Sequence, residues 1–78
     1  MKYLVPVLAK HDTDGRIKPV MIYWENGRTL QVDKVTDIRP AASLKSGGLG
    51  MRYTCHIRGQ MYFLYDEEGV WFIEKIAN

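Results

Sequence analysis

Basic side chains that can bind an anionic ligand are concentrated in the middle of the chain. Residues 34–60 contain five lysines and arginines against the single acidic Asp37, although the whole 78-residue chain has a net charge of only +2. A local excess of positive charge attracts anionic partners such as nucleic acid. The side chains predicted to contact nucleic acid are Arg39, Lys45, Arg52, His56 and Arg58.

The order of these residues along the chain suggests how they would act together. Arg52, His56 and Arg58 alternate with apolar residues in a strand predicted at 51–58, and alternate residues share one face of a strand. An aromatic ring from the next strand, placed beside these cations, would complete a surface that stacks bases and contacts phosphates. The alternative is an ordinary solvated face whose arginines pair with the acidic residues 66–68 across the next hairpin.

Residues that can perform catalysis or hold a metal ion lack the spacing that these activities need. Cys55 and His56 are adjacent in a strand, so their side chains point to opposite faces and cannot form a nucleophile–base pair. His11 followed by Asp12 and Asp14 resembles the start of a calcium loop, but the later ligands and the closing glutamate are missing. We therefore predict that the protein is not an enzyme and has no metal site and no cofactor.

A glycine-rich segment at 47–50 comes directly before the basic strand. Phosphate-binding loops present backbone N–H groups at the start of a helix, usually with a lysine within reach. This segment has neither the spacing of such a loop nor a helix after it. Its glycines predict a flexible connection between the two halves of the domain.

The second candidate surface is apolar and lies near the C-terminus. The strands predicted at 61–65 and 70–76 have apolar residues on both faces, so either both faces are buried or one meets a partner. Trp71 and Phe72 are neighbours in the second of these strands and point to opposite faces, so one ring should be less buried than the other. The alternative function is a protein-interaction or self-associating module that uses strands 60–76. Its candidate contact residues are Tyr62, Trp71 and Phe72.

The sequence predicts that strands joined by tight turns position these residues. Asp14-Gly15, Asn26-Gly27, Gly59-Gln60 and Glu67-Glu68-Gly69 carry the turn residues that predict hairpins. Six short strands at close spacing predict an all-β fold, a strongly bent meander of the small-barrel (SH3-like) type. The six predicted runs are 3–10, 17–24, 29–38, 51–58, 61–65 and 70–76.

The third predicted run does not keep a regular strand pattern. Val32, Val35 and Ile38 are spaced by three, which a regular strand cannot hold on one face. We predict a bulge near 33–34, because an extra residue restores the register and bends the strand. The alternative is one helical turn at 33–38.

Two prolines give further local predictions. Pro6 cannot donate a hydrogen bond to a neighbouring strand, so the first run is predicted to be an edge strand. Pro40 suits the first position of a helix and is followed by good helix formers, which favours one short helix at 40–45. The alternative at 40–45 is an ordered loop.

The whole chain, residues 1–78, is predicted to form one domain that folds without a metal or a disulfide. Its apolar fraction of 46% is normal for a globular protein. The single cysteine excludes an internal disulfide, which favours a reducing compartment. Because the N-terminal apolar run is short and interrupted by proline, and no stretch could cross a bilayer, we predict a cytoplasmic protein without a membrane partner.

Several short segments together resemble a known group of sequences. They are Val5-Pro6-Val7, Trp24-Glu25-Asn26-Gly27, Ala41-Ala42-Ser43-Leu44-Lys45-Ser46-Gly47-Gly48, Arg52-Tyr53-Thr54 and Trp71-Phe72. With these segments, which span nearly its whole length, the chain resembles a family of small uncharacterised bacterial proteins, mainly from Firmicutes. No activity is assigned to that family, so the resemblance implies a bacterial source and no mechanism.

Overall fold

The computed structural model describes residues 2–42 and 49–76. In chain order its elements are β1 (Tyr3–Leu4), β2 (Val7–His11), β3 (Ile17–Tyr23), a 3-10 turn (Glu25–Gly27), β4 (Thr29–Gln31), β5 (Lys34–Ala42), β6 (Leu49–Ile57), β7 (Gln60–Glu67) and β8 (Val70–Lys75). The prediction of an all-β fold is therefore confirmed. No helix among the described residues is long and apolar enough to cross a bilayer.

The strands form two antiparallel sheets. One sheet has five strands in the order β1-β8-β7-β6-β5, and the other has three in the order β2-β3-β4. Strands that follow one another in the chain are mostly neighbours in a sheet, which is the predicted meander. The two sheets are hydrogen-bonded separately, so the barrel is not closed.

The chain passes from one sheet to the other at a first corner after β1. The N–H of Val5 still donates to the Trp71 carbonyl in β8 at 3.0 Å, whereas the Pro6 carbonyl accepts from Tyr23 at the end of β3 at 3.0 Å. Proline suits this corner because it has no N–H to place in either sheet. The run predicted as one strand at 3–10 is therefore two strands, one in each sheet.

A second corner divides the third predicted run in the same way. The N–H of Val32 donates to Val20 in β3, and the N–H of the next residue, Asp33, donates to His56 in β6, each at 2.9 Å. The run at 29–38 therefore supplies β4 to the smaller sheet and β5 to the larger one. These two divisions are why the fold has eight strands instead of six.

The predicted bulge is present, but it lies further along the chain than residues 33–34. The register of β5 against β6 shifts between Val35 and Asp37, so the extra residue is Thr36 and not residue 33 or 34. The second corner explains how Val32 and Val35 both pack against the core, and the bulge then places Ile38, opposite Tyr53, on the same face as Val35. The alternative of a helical turn at 33–38 is wrong, because 34–38 is strand.

The first two predicted hairpins are confirmed. In the β2–β3 turn, Gly15 has φ +85° and its N–H donates to the Asp12 carbonyl at 3.0 Å. In the β3–β4 turn, Asn26 and Gly27 both have positive φ, at 61° and 71°. Asparagine and glycine adopt this left-handed conformation at lower cost than other residues, so the residue types of the turn are enough to predict it.

The β6–β7 turn lies one residue earlier than predicted. It consists of Arg58-Gly59, with φ values of 51° and 76°, and not of Gly59-Gln60. Two central residues with positive φ are typical of the tight turn whose twist matches a hairpin. Because a two-residue turn fixes the pairing of both strands, this turn places Arg52 opposite Tyr65.

The prediction of a short helix at 40–45 is wrong for the part that the structure describes. Pro40, Ala41 and Ala42 continue β5 and pair with Met51, Gly50 and Leu49 of β6. β5 is the outermost strand of its sheet, where a proline without an N–H is tolerated. Residues 43–45 of the predicted helix, and the start of the glycine-rich segment, lie outside the described residues.

The core lies between the two sheets. Its buried side chains are Val5, Ile22, Tyr53, Cys55, Ile57, Leu64, Trp71 and Ile73. The rings of Tyr53 and Trp71 are in contact, with centroids 5.5 Å apart. Burial of a large apolar side chain contributes about 1.5–3 kcal/mol, so this cluster is a major favourable contribution to folding of a chain of this length.

Candidate nucleic-acid interface

The outer face of the five-stranded sheet, which we define as the side that points away from the core, contains most of the predicted basic residues that the structure describes. Directly opposed residues of antiparallel strands share a face, and so do alternate residues of one strand. The pairs Arg39 with Arg52, and Arg52 with Tyr65, form a continuous row across three strands. The described charged and aromatic residues of β5 to β8 on this face are Lys34, Asp37, Arg39, Arg52, His56, Phe63, Tyr65, Glu67, Phe72 and Glu74.

Arg52 lies at the centre of the outer face and contacts an aromatic ring. Its guanidinium carbon is 4.5 Å from the centroid of Phe63, a cation–π arrangement. Phe63 in turn meets the edge of Tyr65, with ring centroids 6.1 Å apart. The Nε of Arg52 is buried and has no hydrogen-bond partner among the described residues. The sheet therefore holds an arginine and two rings side by side, with one donor of that arginine unused.

Tyr65 is fixed by charged neighbours on both of its sides. The Lys2 ammonium lies 3.7 Å from the centroid of its ring, and its hydroxyl donates to the Glu74 carboxylate at 2.9 Å. Burial raises the pKa of Tyr65 to about 12, and the hydrogen bond to Glu74 adds to the shift. The phenol is therefore neutral at physiological pH, and its ring has a fixed orientation on the outer face.

Acidic residues neutralise part of the positive charge of the outer face. Asp37 accepts a hydrogen bond from Arg39 Nε at 2.8 Å, and Glu67 pairs with Lys2 at 3.5 Å. The Arg39 side chain is nevertheless two-thirds exposed, so it can reach a ligand. Arg52 forms no ion pair within the part of the chain that the structure describes, so the alternative of arginines paired with residues 66–68 does not hold for Arg52.

The predicted contact residues are only partly brought together. Arg39 and Arg52 lie opposite each other in one row of the outer face, and His56 lies on the same face two rows away, opposite Lys34. Arg58 is not in the strand, which ends at Ile57; it lies in the turn, where its N–H donates to Asp33 Oδ2 at 3.0 Å. Lys45 lies outside the described residues.

The residues predicted for protein interaction are largely buried. Trp71 points into the core and Phe72 points to the outer face, yet each is only 8% exposed. The prediction that one of these two rings would be less buried is therefore wrong. Tyr62 is half-buried, and its hydroxyl donates to Gln60 at 3.3 Å. The exposed apolar residues of strands 60–76 are Met61 and Val70 instead.

An aromatic ring from the next strand was predicted beside the cations without naming Phe63 or Tyr65, and Lys2 and Lys34 were not predicted as members of the outer face. Phe63 and Tyr65 alternate with the buried Leu64, so their shared face was readable from the period of the strand. Their position beside Arg52 depends on the pairing of β6 with β7. A β6–β7 turn placed one residue later would pair Arg52 with a different residue. The contact of Lys2 with Tyr65 joins residues far apart in the chain, and no sequence signal indicates it.

The residues considered for metal binding or catalysis are not gathered at one place on this sheet. Within residues 2–42 and 49–76, no group of three His, Cys, Asp or Glu side chains is placed to hold a metal ion. Cys55 is fully buried in the core, and His56 lies on the outer face, so the two point apart. Burial raises the pKa of the Cys55 thiol to about 12, which makes it a poor nucleophile.

Comparisons with protein-family models, with curated proteins and with solved structures found no match to this chain. The resemblance to small bacterial proteins therefore stays a prediction.

Proposed function

We propose that the protein is a non-enzymatic binding module whose outer face contacts single-stranded nucleic acid. The observation that supports this most is the row Arg39–Arg52–Tyr65, with Phe63 beside Arg52. Proteins that bind single strands combine cations for the phosphates with aromatic rings on which bases stack. The outer face has both kinds of group within one row of cross-strand neighbours.

Each group has a distinct role in this proposal. The exposed cations Arg39 and Lys34 contact phosphate oxygens at the edge of the sheet. Arg52 stacks between Phe63 and an incoming base, since guanidinium planes stack on bases as well as on rings. In this proposal the Arg52 side chain rotates on binding, so that its buried Nε donates to a phosphate oxygen. The cost of a donor without a partner is then removed.

The charge balance of the outer face favours a single strand over a duplex. Among the described residues, Lys2, Lys34, Arg39 and Arg52 are opposed by Asp37, Glu67 and Glu74. A duplex is bound mainly through many phosphate contacts, which this modest excess of cations does not provide. Stacking contributes about 1–3 kcal/mol per base and does not require a high net charge.

Replacement of Arg52 by alanine is expected to weaken binding of an oligonucleotide by about tenfold or more, because one stacked base and one phosphate contact are lost. Labelled single-stranded and duplex DNA and RNA would be titrated with the protein at two salt concentrations. Arg39→Ala should mainly reduce the salt dependence of the affinity. Arg28→Ala, which removes the same charge from an exposed turn, is the matched control and should change little. No binding at low salt, or equal affinity of the Arg52 and Arg28 variants, would refute the proposal.

Self-association is the second candidate function, and the exposure of two apolar side chains favours it. Met61 is 42% exposed on the outer face, and Val70 is 45% exposed at the start of β8. If strands 60–76 pair two copies, the solution mass should rise with concentration, and Met61→Glu should restore the monomer. A strict monomer at millimolar concentration would exclude this function.

We also propose that the protein is bacterial and cytoplasmic. The buried thiol of Cys55 is free, which fits a reducing compartment.

A further inference from the structure

A cleft opens on the molecule at the first corner, away from the centre of the outer face. It has a volume of about 640 Å³ and lies between residues 3–6, which include β1, and the end of β3 with the turn after it. The lining side chains are Tyr3, Leu4, Val5, Pro6, Tyr23, Trp24 and Glu25. A volume of this size is typical of a ligand site and holds a short segment of extended peptide.

The cleft exists because the chain changes sheets here. β1 pairs with β8 and β2 pairs with β3, so β1 and the end of β3 separate instead of continuing one ladder. Pro6 at the corner has no N–H to donate across the gap. The cleft is therefore a consequence of the open barrel, and strands that are fixed by their other partners hold its walls in place.

Three aromatic rings line the cleft and are accessible from solvent. Tyr3 is 57% exposed and Tyr23 is 45% exposed, and Trp24 lies between buried and exposed. The two hydroxyl groups and the indole N–H make no hydrogen bond within the described residues. Tyrosine and tryptophan in such positions offer an apolar surface and a polar donor to the same ligand.

The cleft also has an acidic end. Glu25 is exposed and forms no ion pair within the described part of the chain. Seven other acidic residues do pair or accept hydrogen bonds there: Asp12, Asp14, Asp33, Asp37, Asp66, Glu67 and Glu74. An acidic group beside aromatic rings attracts a cationic side chain. Charge complementarity therefore points to an occupant that carries a basic residue.

We propose that this cleft binds an extended, proline-rich peptide segment of another protein, with a basic residue of the peptide beside Glu25. A polyproline II helix has no internal hydrogen bonds, so its carbonyl groups are free to accept from the two tyrosines and Trp24. Its proline rings pack against aromatic side chains, and its rigid backbone loses little entropy on binding. This inference concerns a different surface from the outer face and goes beyond the nucleic-acid proposal.

The test is a titration of the full chain with a short fluorescently labelled peptide that contains several prolines and one arginine. Saturable binding should be weakened about tenfold by Tyr23→Ser and by Tyr3→Ser, since each ring is an anchor of the peptide. Both side chains are exposed, so these variants should fold, and their circular dichroism should match the parent protein. Binding should also shift the emission of Trp24, and Trp24→Phe should remove that signal.

A charge exchange makes the test specific for the proposed orientation. Glu25→Lys should weaken the arginine peptide several-fold and strengthen a peptide that has glutamate in place of arginine. No saturable binding, or affinities unchanged by both tyrosine variants, would overturn the proposal. A solution mass that rises with concentration and falls in Tyr3→Ser, without peptide binding, would overturn it in favour of a second copy of the chain.

The peptide and nucleic-acid proposals fail independently. Arg52→Ala should leave peptide binding unchanged, and Tyr23→Ser should leave oligonucleotide binding unchanged. Loss of both activities in either variant would indicate one shared surface and would overturn the separate peptide site.

Discussion

Replacement of Gly50 by alanine is expected to lower the free energy of unfolding by about 2–3 kcal/mol, because the added methyl group has no room. A Cβ atom built at Gly50 would lie 2.7 Å from the Asp66 carbonyl oxygen of β7 and 3.2 Å from Glu67 Cγ. The Glu67 side chain can move, but the carbonyl belongs to the backbone of a strand that is paired on both sides. The backbone must therefore shift, and the pairing of β6 with β7 is weakened.

The measurement is urea denaturation of the Gly50→Ala variant beside the parent protein. A domain of this size has a stability of about 4–12 kcal/mol, so the expected change is a large part of it. Thr29→Ala, at an exposed position of β4, controls for the effect of alanine in a strand and should change stability by no more than about 0.5 kcal/mol. An unchanged denaturation midpoint for Gly50→Ala would show that β7 does not approach Gly50 this closely.

The thiol of Cys55 is expected to react with a disulfide reagent at least about a thousandfold more slowly in the folded protein than in urea. Its side chain is fully buried, so the reagent reaches it only after opening of the fold, which costs several kcal/mol. In addition, burial raises the pKa of the thiol to about 12, so little thiolate forms in the folded state. A rate in native buffer close to that in urea would contradict the burial of Cys55.

The same burial makes stability depend on alkaline pH. Below pH 9, the ordinary pKa of the thiol, both folded and unfolded states are neutral and this contribution is constant. Between pH 9 and pH 12 only the unfolded state loses its proton, so stability falls with rising pH, by about 1.4 kcal/mol per pH unit. The raised pKa of Tyr65 adds a further loss that begins near pH 10. Cys55→Ala should flatten the decline between pH 9 and 10, and an equally steep decline in that variant would contradict the assignment.

Alternation of polar and apolar residues was enough to predict the faces of β6. Tyr53, Cys55 and Ile57 are in the core and Arg52 and His56 are on the outer face, as the period of two requires. This pattern is local, because a strand with one buried face must repeat every second residue. The cationic half of the candidate site was therefore readable from the sequence.

Alternation did not predict the burial of β8. Trp71 and Phe72 point to opposite sides of the sheet, and only the arrangement of neighbouring strands decides whether each side is covered. Here Trp71 packs in the core cluster against Tyr53, while Phe72 lies between its cross-strand neighbours Tyr65 and Leu4. Both rings are therefore buried, although they lie on different faces.

Local residue patterns specify most of the extended segments, most of the turns and the basic segment, because each depends on residues close together in the chain. The tertiary structure decided where the long runs divide between sheets, since hydrogen bonds to distant strands place the corners at Val5-Pro6 and Val32-Asp33. It also decided that Tyr65 faces Arg52, through a turn displaced by one residue, and that a cleft opens at the first corner. Both surfaces proposed for binding therefore depend on pairing between distant segments, which no local pattern specifies.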